Sequence, residues 1–301
     1  MATKANLDSA LGPVLAKDQA GPTVSYLRDV WRRLLSSNLA RVGVVTVGFF
    51  ILLALVAPAV APYDPIAQTL VDRLKPPSAA HLCGTDHLGR DILSRVIYGA
   101  RISLQVGVIS VMVGLLFGAT FGLVAGYVSG WADSIIMRMM DIMLAFPSTL
   151  LAIAIVAARG PGLFNTMIAV GVVAIPIYAR LMRGTVLAVK SCEYIQAAQA
   201  VGAGHLRIVL RHVLPNCLSP MIVQATLSFA TAVISAAALG FLGLGAQPPD
   251  PEWGAMLADS YGYLINAPWA AFFPGAAIMI TVLGFNLLGD GLRDALDPRT
   301  R

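Results

Sequence analysis

Long runs of apolar residues, separated by short polar segments, dominate this sequence. A helix needs about 20 consecutive apolar residues to cross the hydrocarbon core of a bilayer. Six runs approach or exceed this length: residues 42–61, 102–129, 135–158, 163–179, 218–244 and 269–288. The pattern predicts an all-α integral membrane protein with six transmembrane helices.

The polar segments between these runs suggest a simple organisation. We expect a cytoplasmic N-terminal segment (1–41), a first transmembrane helix (42–61), an external loop (62–101), a five-helix transmembrane domain (102–292) and a cytoplasmic tail (293–301). About 40 residues precede the first apolar run, which is also longer than the apolar part of a signal peptide. We therefore expect this run to be retained as a transmembrane helix.

Composition agrees with a membrane protein. Only 12% of the 301 residues are charged and 57% are hydrophobic, whereas soluble domains carry about 25% charged residues. The net charge of +5 fits basic loops at a membrane surface, so we expect no nucleic-acid partner. The three cysteines lack metal-ligand spacing and predict free thiols, without a metal site.

Basic residues are unevenly distributed between the predicted loops. They flank the first span and the segment 191–215, whereas residues 246–268 contain three acidic residues and no Lys or Arg. Positive-inside reasoning predicts that both termini and residues 191–215 are cytoplasmic and that 246–268 is external. The predicted external loop 62–101 departs from this rule, because it contains five basic residues: Arg73, Lys75, Arg90, Arg95 and Arg101.

The segment EYIQAAQAVGAGHLRIVLRHVLPN separates two of the predicted spans. Its Ala-rich first part predicts a short helix, Gly202 and Gly204 predict a bend, and helical periodicity resumes at His205. We expect Pro215 to end this second helix before the next span. The segment is either an interfacial amphipathic connector or a docking element for a cytoplasmic partner, whose groove could close around the small residues Ala197, Ala198 and Ala200.

The residues of this segment resemble a known motif. Gln196-Ala197-Ala198, Gly202 and Leu214-Pro215 resemble the EAA loop of ABC importer permeases, which forms the coupling helix to the ATPase. Gln196 stands where the family usually has Glu, and His212 where it has an aliphatic residue. Glu193 lies one helical turn earlier on the same face and could substitute for the missing carboxylate.

Three more segments, His81–Leu104, Ala238–Leu257 and Asn286–Arg299, are similar to the C-type permease of dipeptide and oligopeptide ABC importers. The stretch PNCLSPMIVQATLSF is most similar to the dipeptide branch. The resemblance implies a type I ABC importer permease in a bacterial inner membrane. It also implies these partners: a B-type permease subunit, two ATP-binding subunits that carry ATP and Mg²⁺, an external substrate-binding protein and a peptide substrate.

The sequence contains neither a nucleotide-binding motif nor the pattern expected of a coupling-ion site. No G-x-x-x-x-G-K-[ST] phosphate loop is present, so we expect no catalytic residue and no cofactor in this chain. Glutathione, oligopeptides and nickel complexes remain alternative substrates. An ion-coupled secondary transporter would place ionisable residues near mid-membrane, and the predicted spans are charge-free at their centres. A membrane scaffold would not need a docking loop.

Two helical faces are candidates for packing and transport. Glycine recurs every four residues at Gly114, Gly118, Gly122 and Gly126, which predicts close helix packing, within this chain in preference to a partner permease. A polar stripe in the fifth span either lines the translocation path or satisfies its own backbone; it comprises Gln224, Ser228, Thr231 and Ser235.

Charged residues near the spans suggest two further features. We expect Arg138 and Asp141 to form an ion pair within one helix. The turn-rich sequence GTDHLGRD, from Gly84 to Asp91, either docks the binding protein or caps the second span.

Overall fold

The computed structural model describes residues 22–296, with side chains from residue 28 onward. The described residues are helical apart from turns, loops and one isolated β-bridge between Thr85 and Asp91. The α-helices are α1 (Pro22–Leu34), α2 (Asn38–Val60), α3 (Ile92–Val128), α4 (Gly130–Ala145), α5 (Ser148–Arg159), α6 (Leu163–Lys190), α7 (Glu193–Ala200), α8 (His205–Ile208), α9 (Leu214–Phe241), α10 (Trp253–Tyr261) and α11 (Trp269–Leu296).

Five helices among the described residues are long and apolar enough to cross a membrane. They are α2, α3, α6, α11 and the continuous helix His205–Phe241, which joins α8 to α9. The helices α4 and α5 together could form a sixth span, but they are bent by 94° at the break between them. The described residues are therefore all-α, with five or six candidate spans.

The break between α4 and α5 divides the predicted span 135–158 into two helices. Phe146 has extended backbone angles (φ −88°, ψ 138°) and Pro147 follows it. A proline ring clashes with the preceding residue when that residue is helical, and proline also lacks the N–H of a helix interior. The helix therefore ends at Ala145 and restarts at Ser148.

A π-helical turn (Val209–Val213) replaces the predicted helix end at Pro215. The backbone N–H of Leu214 donates to the carbonyl of Val209, a bond that spans five residues instead of four. Pro215 occupies the first turn of α9, a position where the missing N–H is tolerated. The expectation that Pro215 stops the helix was therefore wrong, and α8 continues through the π-helical turn into α9.

The α3 helix begins before the apolar run that predicted it. Asp91 is its N-cap and accepts a hydrogen bond from the Ser94 N–H at 2.8 Å, so the first helical residue is Ile92 and not Ile102. Arg95 and Arg101, within the first ten residues of the helix, obscured this start in the hydropathy pattern. The cap is nonetheless typical of a helix start.

Close backbone contacts hold the spans together. The α2 and α11 helices meet at Gly43, where a Cβ would lie 2.5 Å from the backbone nitrogen of Leu288. In the centre of the bundle, the rings of Phe229 on α9 and Phe285 on α11 stack with centroids 3.7 Å apart. Gly107 on α3 leaves the space for the Phe229 ring.

The bundle has two distinct ends. The loop end consists of residues 62–91 and 246–268, and the α7 end carries α7 and α8. The α3 helix runs from one to the other, since it begins beside the loops and ends at Val128, where Tyr127 contacts His205 of α8.

Candidate functional site

The α7–α8 segment is anchored to the transmembrane helices by buried aliphatic side chains. Ile195, Ile208 and Val213 are fully buried and pack in one cluster with Met182 and Val186 of α6. The segment is therefore not a loose connector on the surface. The segment packs against α6 and continues through α8 into α9.

The bend between α7 and α8 depends on a glycine in the left-handed region. Gly202 has φ +80°, its N–H donates to Gln199 O at 2.9 Å, and the Ala203 N–H donates to Ala198 O at 3.0 Å. These bonds satisfy the last carbonyls of α7, as left-handed caps commonly do. Gly204 has ordinary angles (φ −66°, ψ 153°) as the N-cap of α8.

The outward surface of this segment, the α7 surface, is uncovered in the single chain. Glu193, Gln196, Ala197, Gly202 and Pro215 are exposed. Ala198 and Leu214 are half-buried. Large apolar side chains surround them and are at least 46% exposed: Tyr194, Val201, Leu206 and Leu210. All seven predicted coupling residues are thus at least partly exposed, and the segment is more apolar than the sequence motif alone indicated.

A polar cluster fixes the α7 surface to the ends of α3 and α6. The Tyr127 hydroxyl lies 3.0 Å from His205 Nδ1. Lys190 Nζ donates to the Tyr127 carbonyl oxygen at 2.8 Å and lies 5.6 Å from the centroid of the same ring. Three helix ends therefore meet at one aromatic residue, which the sequence did not single out.

A cleft of about 280 Å³ opens beside the α4–α5 break. The α9 residues Ser228, Thr231 and Ser235 line it together with Ser110 of α3 and Ser148 of α5. Three members of the predicted polar stripe thus lie on one cleft. Ser148 was missed, because its place there depends on the break after Ala145.

Hydrogen bonds within α9 satisfy part of this stripe. The Gln224 Nε2 donates to Ser228 Oγ at 3.0 Å, and the Thr231 hydroxyl donates to the Ser228 carbonyl oxygen at 2.9 Å. Gln224 does not line the cleft. It lies one helical turn away and contacts the cleft through its hydrogen bond to Ser228. The stripe therefore makes hydrogen bonds within α9 and also lines the cleft, and its place in a translocation path stays a prediction.

The glycine face of α3 lies against α6. A Cβ built at Gly118 would be 2.5 Å from Tyr178 Cβ, and one at Gly126 would be 2.9 Å from Val186 Cβ. Gly122 has the closest backbone approach, and Gly114 is slightly less crowded. Such distances leave no room for a side chain, so this face brings the two helix backbones together within one chain.

Two ion pairs join α4 to α6. Arg183 binds Asp133 through both Nε and Nη2, at 2.5 and 2.6 Å. Arg180 Nη2 donates to Asp141 Oδ1 at 2.6 Å. The predicted pair between Arg138 and Asp141 was wrong, because the neighbouring helix α6 brings Arg180 to the Asp141 carboxylate.

The sequence GTDHLGRD folds into a buried ion-pair network at the loop end. Arg90 Nε lies 2.5 Å from Asp86 Oδ2, and its Nη2 lies 3.2 Å from Asp259 Oδ2. Arg95 donates to the Pro65 carbonyl oxygen at 3.0 Å. Asp91 caps α3 and also lies 2.9 Å from His81 Nδ1. The motif therefore caps the second span and ties it to residues 246–268.

Ion pairs at the loop end account for three of the five basic residues that conflicted with positive-inside reasoning. Arg90 and Arg95 are each 2% exposed and paired, and Lys75 forms an ion pair with Asp72. The hydrogen bond from Lys75 holds the pKa of Asp72 below its ordinary value. Each of these three cations is thus paired with a carboxylate of the same loop end.

Glu252 is a third buried carboxylate at the loop end, after Asp86 and Asp91. It is 4% exposed and caps α10 by accepting from the N–H groups of Gly254 and Ala255, both at 2.8 Å. Burial raises its pKa, and the two backbone hydrogen bonds partly offset that effect. The Trp253 indole beside it donates to the Val96 carbonyl oxygen of α3 at 3.1 Å.

Two family models match the chain. The binding-protein-dependent transport system inner membrane component matches residues 118–301, and the N-terminal TM domain of oligopeptide transport permease C matches residues 25–77. A solved structure with the same arrangement is the inward-facing MetNI methionine ABC transporter, at a TM-score of 0.59 and 20% identity, covering 68% of this chain and 98% of that chain. This is the fold of a type I ABC importer permease.

Curated relatives are similar over nearly the whole chain. The dipeptide transport system permease protein DppC of Alkalihalophilus pseudofirmus is 53% identical over 278 residues, 92% of this chain and 91% of that protein. The di/tripeptide transport system permease protein DppC of Pseudomonas aeruginosa is 50% identical over 283 residues, 92% and 93%. The glutathione transport system permease protein GsiD of Pectobacterium atrosepticum is 49% identical over 279 residues, 91% of each.

These similarities define a multi-pass inner-membrane permease subunit. The chain belongs to the family of binding-protein-dependent transport system inner membrane components, and within it to the C-type permeases of peptide ABC importers. The predicted family and fold class are both confirmed.

Proposed function

We propose that the chain is one of two permease subunits of an ATP-driven importer that takes up dipeptides. Its relatives at 53% and 50% identity carry names that include dipeptide and di/tripeptide transport, which supports this substrate class. A relative at 49% identity is a glutathione permease. Glutathione is therefore the main competing substrate, followed by longer peptides and nickel complexes.

The α7 surface is the single observation that best supports ATP-driven coupling. Small and apolar residues are exposed there, while Ile195 and Ile208 on the opposite face are fully buried against the transmembrane helices. A partner that grips this surface would move a rigid element joined to α6 and α9. We propose that the ATPase subunits bind here and that they alone hold ATP and Mg²⁺, because this sequence has no phosphate loop.

We further propose that the α7 end is cytoplasmic, with both termini, and that the loop end is external. Residues 246–268 contain no Lys or Arg, whereas Arg207 and Arg211 lie on the segment at the α7 end. The buried ion pairs of Arg90 and Arg95 remove the main conflict with this orientation. An external binding protein would then deliver peptide to the loop end.

The cleft beside α9 suits a peptide path shared with a B-type permease. Its polar groups are serine and threonine hydroxyls among apolar side chains. Hydroxyls can donate and accept, so they can follow a peptide backbone without selecting one side chain. Sequence selection can then take place in the binding protein.

The test is transport by the assembled complex in liposomes. The binding protein is supplied on the side of the membrane where the loop end lies. We expect uptake of a labelled dipeptide that requires ATP on the α7 side, and competition by unlabelled dipeptides. Uptake of glutathione, longer peptides or nickel without dipeptide uptake would reassign the substrate. Uptake driven by an ion gradient without ATP would overturn the coupling mechanism, as would ATP binding by the isolated subunit.

A further inference from the structure

The Arg180–Asp141 ion pair has an unusual position for a structural contact. It joins the middle of α6 to α4 by a single hydrogen bond of 2.6 Å, from Arg180 Nη2 to Asp141 Oδ1. Both side chains are 52% exposed. Arg180 lies ten residues before the end of α6 at Lys190, which corresponds to about 15 Å along the helix axis.

The pair lies directly below the hydroxyl-lined cleft. Ile177 of α6 and Leu144 of α4 both line the cleft. Arg180 is three residues after Ile177, and Asp141 is three residues before Leu144. Residues three apart occupy the same helix face. Both charges therefore stand on the cleft faces of their helices, one turn closer to the α7 end.

The exposure of these charges in the single chain requires a polar environment within a membrane. Ionisable side chains in transmembrane segments face water-filled cavities or protein and avoid lipid, because their transfer into hydrocarbon is costly. Their neighbours along α4, Met139 and Ile142, are large, apolar and more than half exposed. A half-exposed ion pair within such a surface is compatible with a membrane only where water or a polar ligand reaches it.

The second ion pair between the same helices provides the contrast. Arg183 engages Asp133 with two hydrogen bonds, at 2.5 and 2.6 Å, and the side chains are 36% and 19% exposed. This geometry is bidentate and pre-organised, as expected of a structural pair. By comparison, Arg180 uses one of its five donors and Asp141 accepts with one of its two oxygens.

We propose that Arg180 and Asp141 form a transient binding site for the charged termini of the transported peptide. Arg180 binds the terminal carboxylate and Asp141 binds the terminal ammonium group, so the two charges exchange their mutual ion pair for contacts with a zwitterion. Every dipeptide carries these two groups whatever its side chains. The site therefore recognises the shared part of the substrate, while the hydroxyl-lined cleft accommodates the variable part.

This inference rests on the proposed function, and the experiment separates the two. The full complex with its binding protein is reconstituted in liposomes carrying Asp141→Asn or Arg180→Gln, and dipeptide uptake and ATP hydrolysis are measured together. We expect the number of peptides transported per ATP to fall about tenfold, the effect of one lost charge-assisted hydrogen bond. ATP hydrolysis stimulated by the loaded binding protein should change less than twofold.

The matched control is Asp133→Asn, which removes the structural pair on the same two helices. We expect it to leave the peptide-to-ATP ratio unchanged, even where it lowers the yield of complex. Arg180→Lys retains the cation and should recover part of the ratio. An unchanged ratio in both Asp141→Asn and Arg180→Gln would overturn this site, as would an equal loss in Asp133→Asn. Failure of wild-type dipeptide uptake would instead overturn the proposed function.

Direct occupancy is tested with a photoreactive dipeptide on the detergent-solubilised complex without binding protein. We expect crosslinks on α4 or α6 near residues 141 and 180, displaced by free dipeptide but not by the same dipeptide acetylated and amidated at its termini. Equal displacement by both competitors would show that terminal charge is not recognised and would overturn the proposal.

Discussion

Gly122 of α3 and Ala179 of α6 are in direct backbone contact: a Cβ placed on Gly122 would stand 2.3 Å from the Ala179 carbonyl oxygen. Met182 Cβ closes the same space from the other side, at 2.8 Å. No rotamer relieves such a contact, since it involves the first side-chain atom and the backbone of the neighbouring helix. The separation of α3 and α6 is therefore set by the absence of a side chain.

Replacing Gly122 by Leu should prevent this packing. Overpacking costs about 1–3 kcal/mol when side chains can adjust, and here a backbone oxygen must move, so we expect little folded protein in the membrane. Gly184→Leu is the matched control, because Gly184 on α6 has no atom within 4 Å of its Cβ position. Membrane yield and the thermal unfolding temperature in detergent are the measurements. Equal yields for the two variants would show that α3 and α6 can separate without cost.

The glycine repeat illustrates what the sequence could predict. Apolar length and small-residue spacing depend on interactions that act over one or two helical turns, so they predicted the spans and a close-packing face on α3. The sequence favoured packing within the chain but did not identify the opposing helix, because glycine spacing carries no information about the partner. The structure supplies α6, with Tyr178 and Val186 against the glycines.

Leucine at Gln224 and Thr231 should impair transport without disrupting assembly. Thr231 lines the cleft, and Gln224 orients the Ser228 hydroxyl at 3.0 Å, so the double variant removes polar contacts from the proposed path. Peptide uptake should fall severalfold at a normal level of assembled complex. The control is Thr226→Leu, since the Thr226 hydroxyl donates to Ile222 O in its own helix and Thr226 does not line this cleft. Normal uptake by the double variant would limit the stripe to backbone satisfaction.

Other features of this region depend on tertiary geometry that no local pattern encodes. Pro147 indicates a break between α4 and α5. The 94° angle of that break could not be predicted, and neither could the position of Ser148 in the cleft. The ion partner of Asp141 was mispredicted because Arg180 is 39 residues away in sequence. Spacing within one helix favours the local partner, whereas packing decides the actual one.

Arg90 should be indispensable for the folded loop end. It is 2% exposed and pairs with Asp86, which is 7% exposed. Arg90→Met would leave a buried carboxylate without its main counterion, a change that typically costs about 3–5 kcal/mol. The exposed pair of Lys75 and Asp72 is the control, and Lys75→Met should have little effect. Limited proteolysis of residues 62–91 in sealed vesicles measures both. Unchanged protection of the Arg90 variant would contradict a structural role for the network.

The bend after α7 should depend on Gly202 and not on Gly204. Gly202 has φ +80°, whereas Gly204 has φ −66°, and neither has an atom within 4 Å of its Cβ position. Alanine at Gly202 must therefore adopt a left-handed conformation, at a cost of about 1–2 kcal/mol. Alanine at Gly204 fits its native angles. Hydrogen exchange of the α7 and α8 amides should accelerate in Gly202→Ala alone. Equal exchange in both variants would show that the bend can adopt another conformation.

A bulky charge on the α7 surface should uncouple the importer. Ala198 is half-buried and Gly202 exposed on this surface, so Ala198→Arg or Gly202→Glu would place a charge inside the grip of the proposed ATPase partner. A charge buried without a counterion costs several kcal/mol. We expect the ATPase subunits to dissociate, or to hydrolyse ATP without driving uptake.

The spans should remain folded in both variants, because Ile195 and Ile208 still anchor the segment from its buried face. Co-purification of the ATPases and peptide uptake are measured in the same preparation, after membrane levels of the permease are matched to wild type. Gly204→Ala is the control, since it adds neither charge nor strain. Dissociation in the two charged variants, with retention in the control, would place the ATPase contact on the α7 surface. Full co-purification with full uptake in both would reduce the segment to an interfacial connector, despite its rigid attachment to α6 and α9.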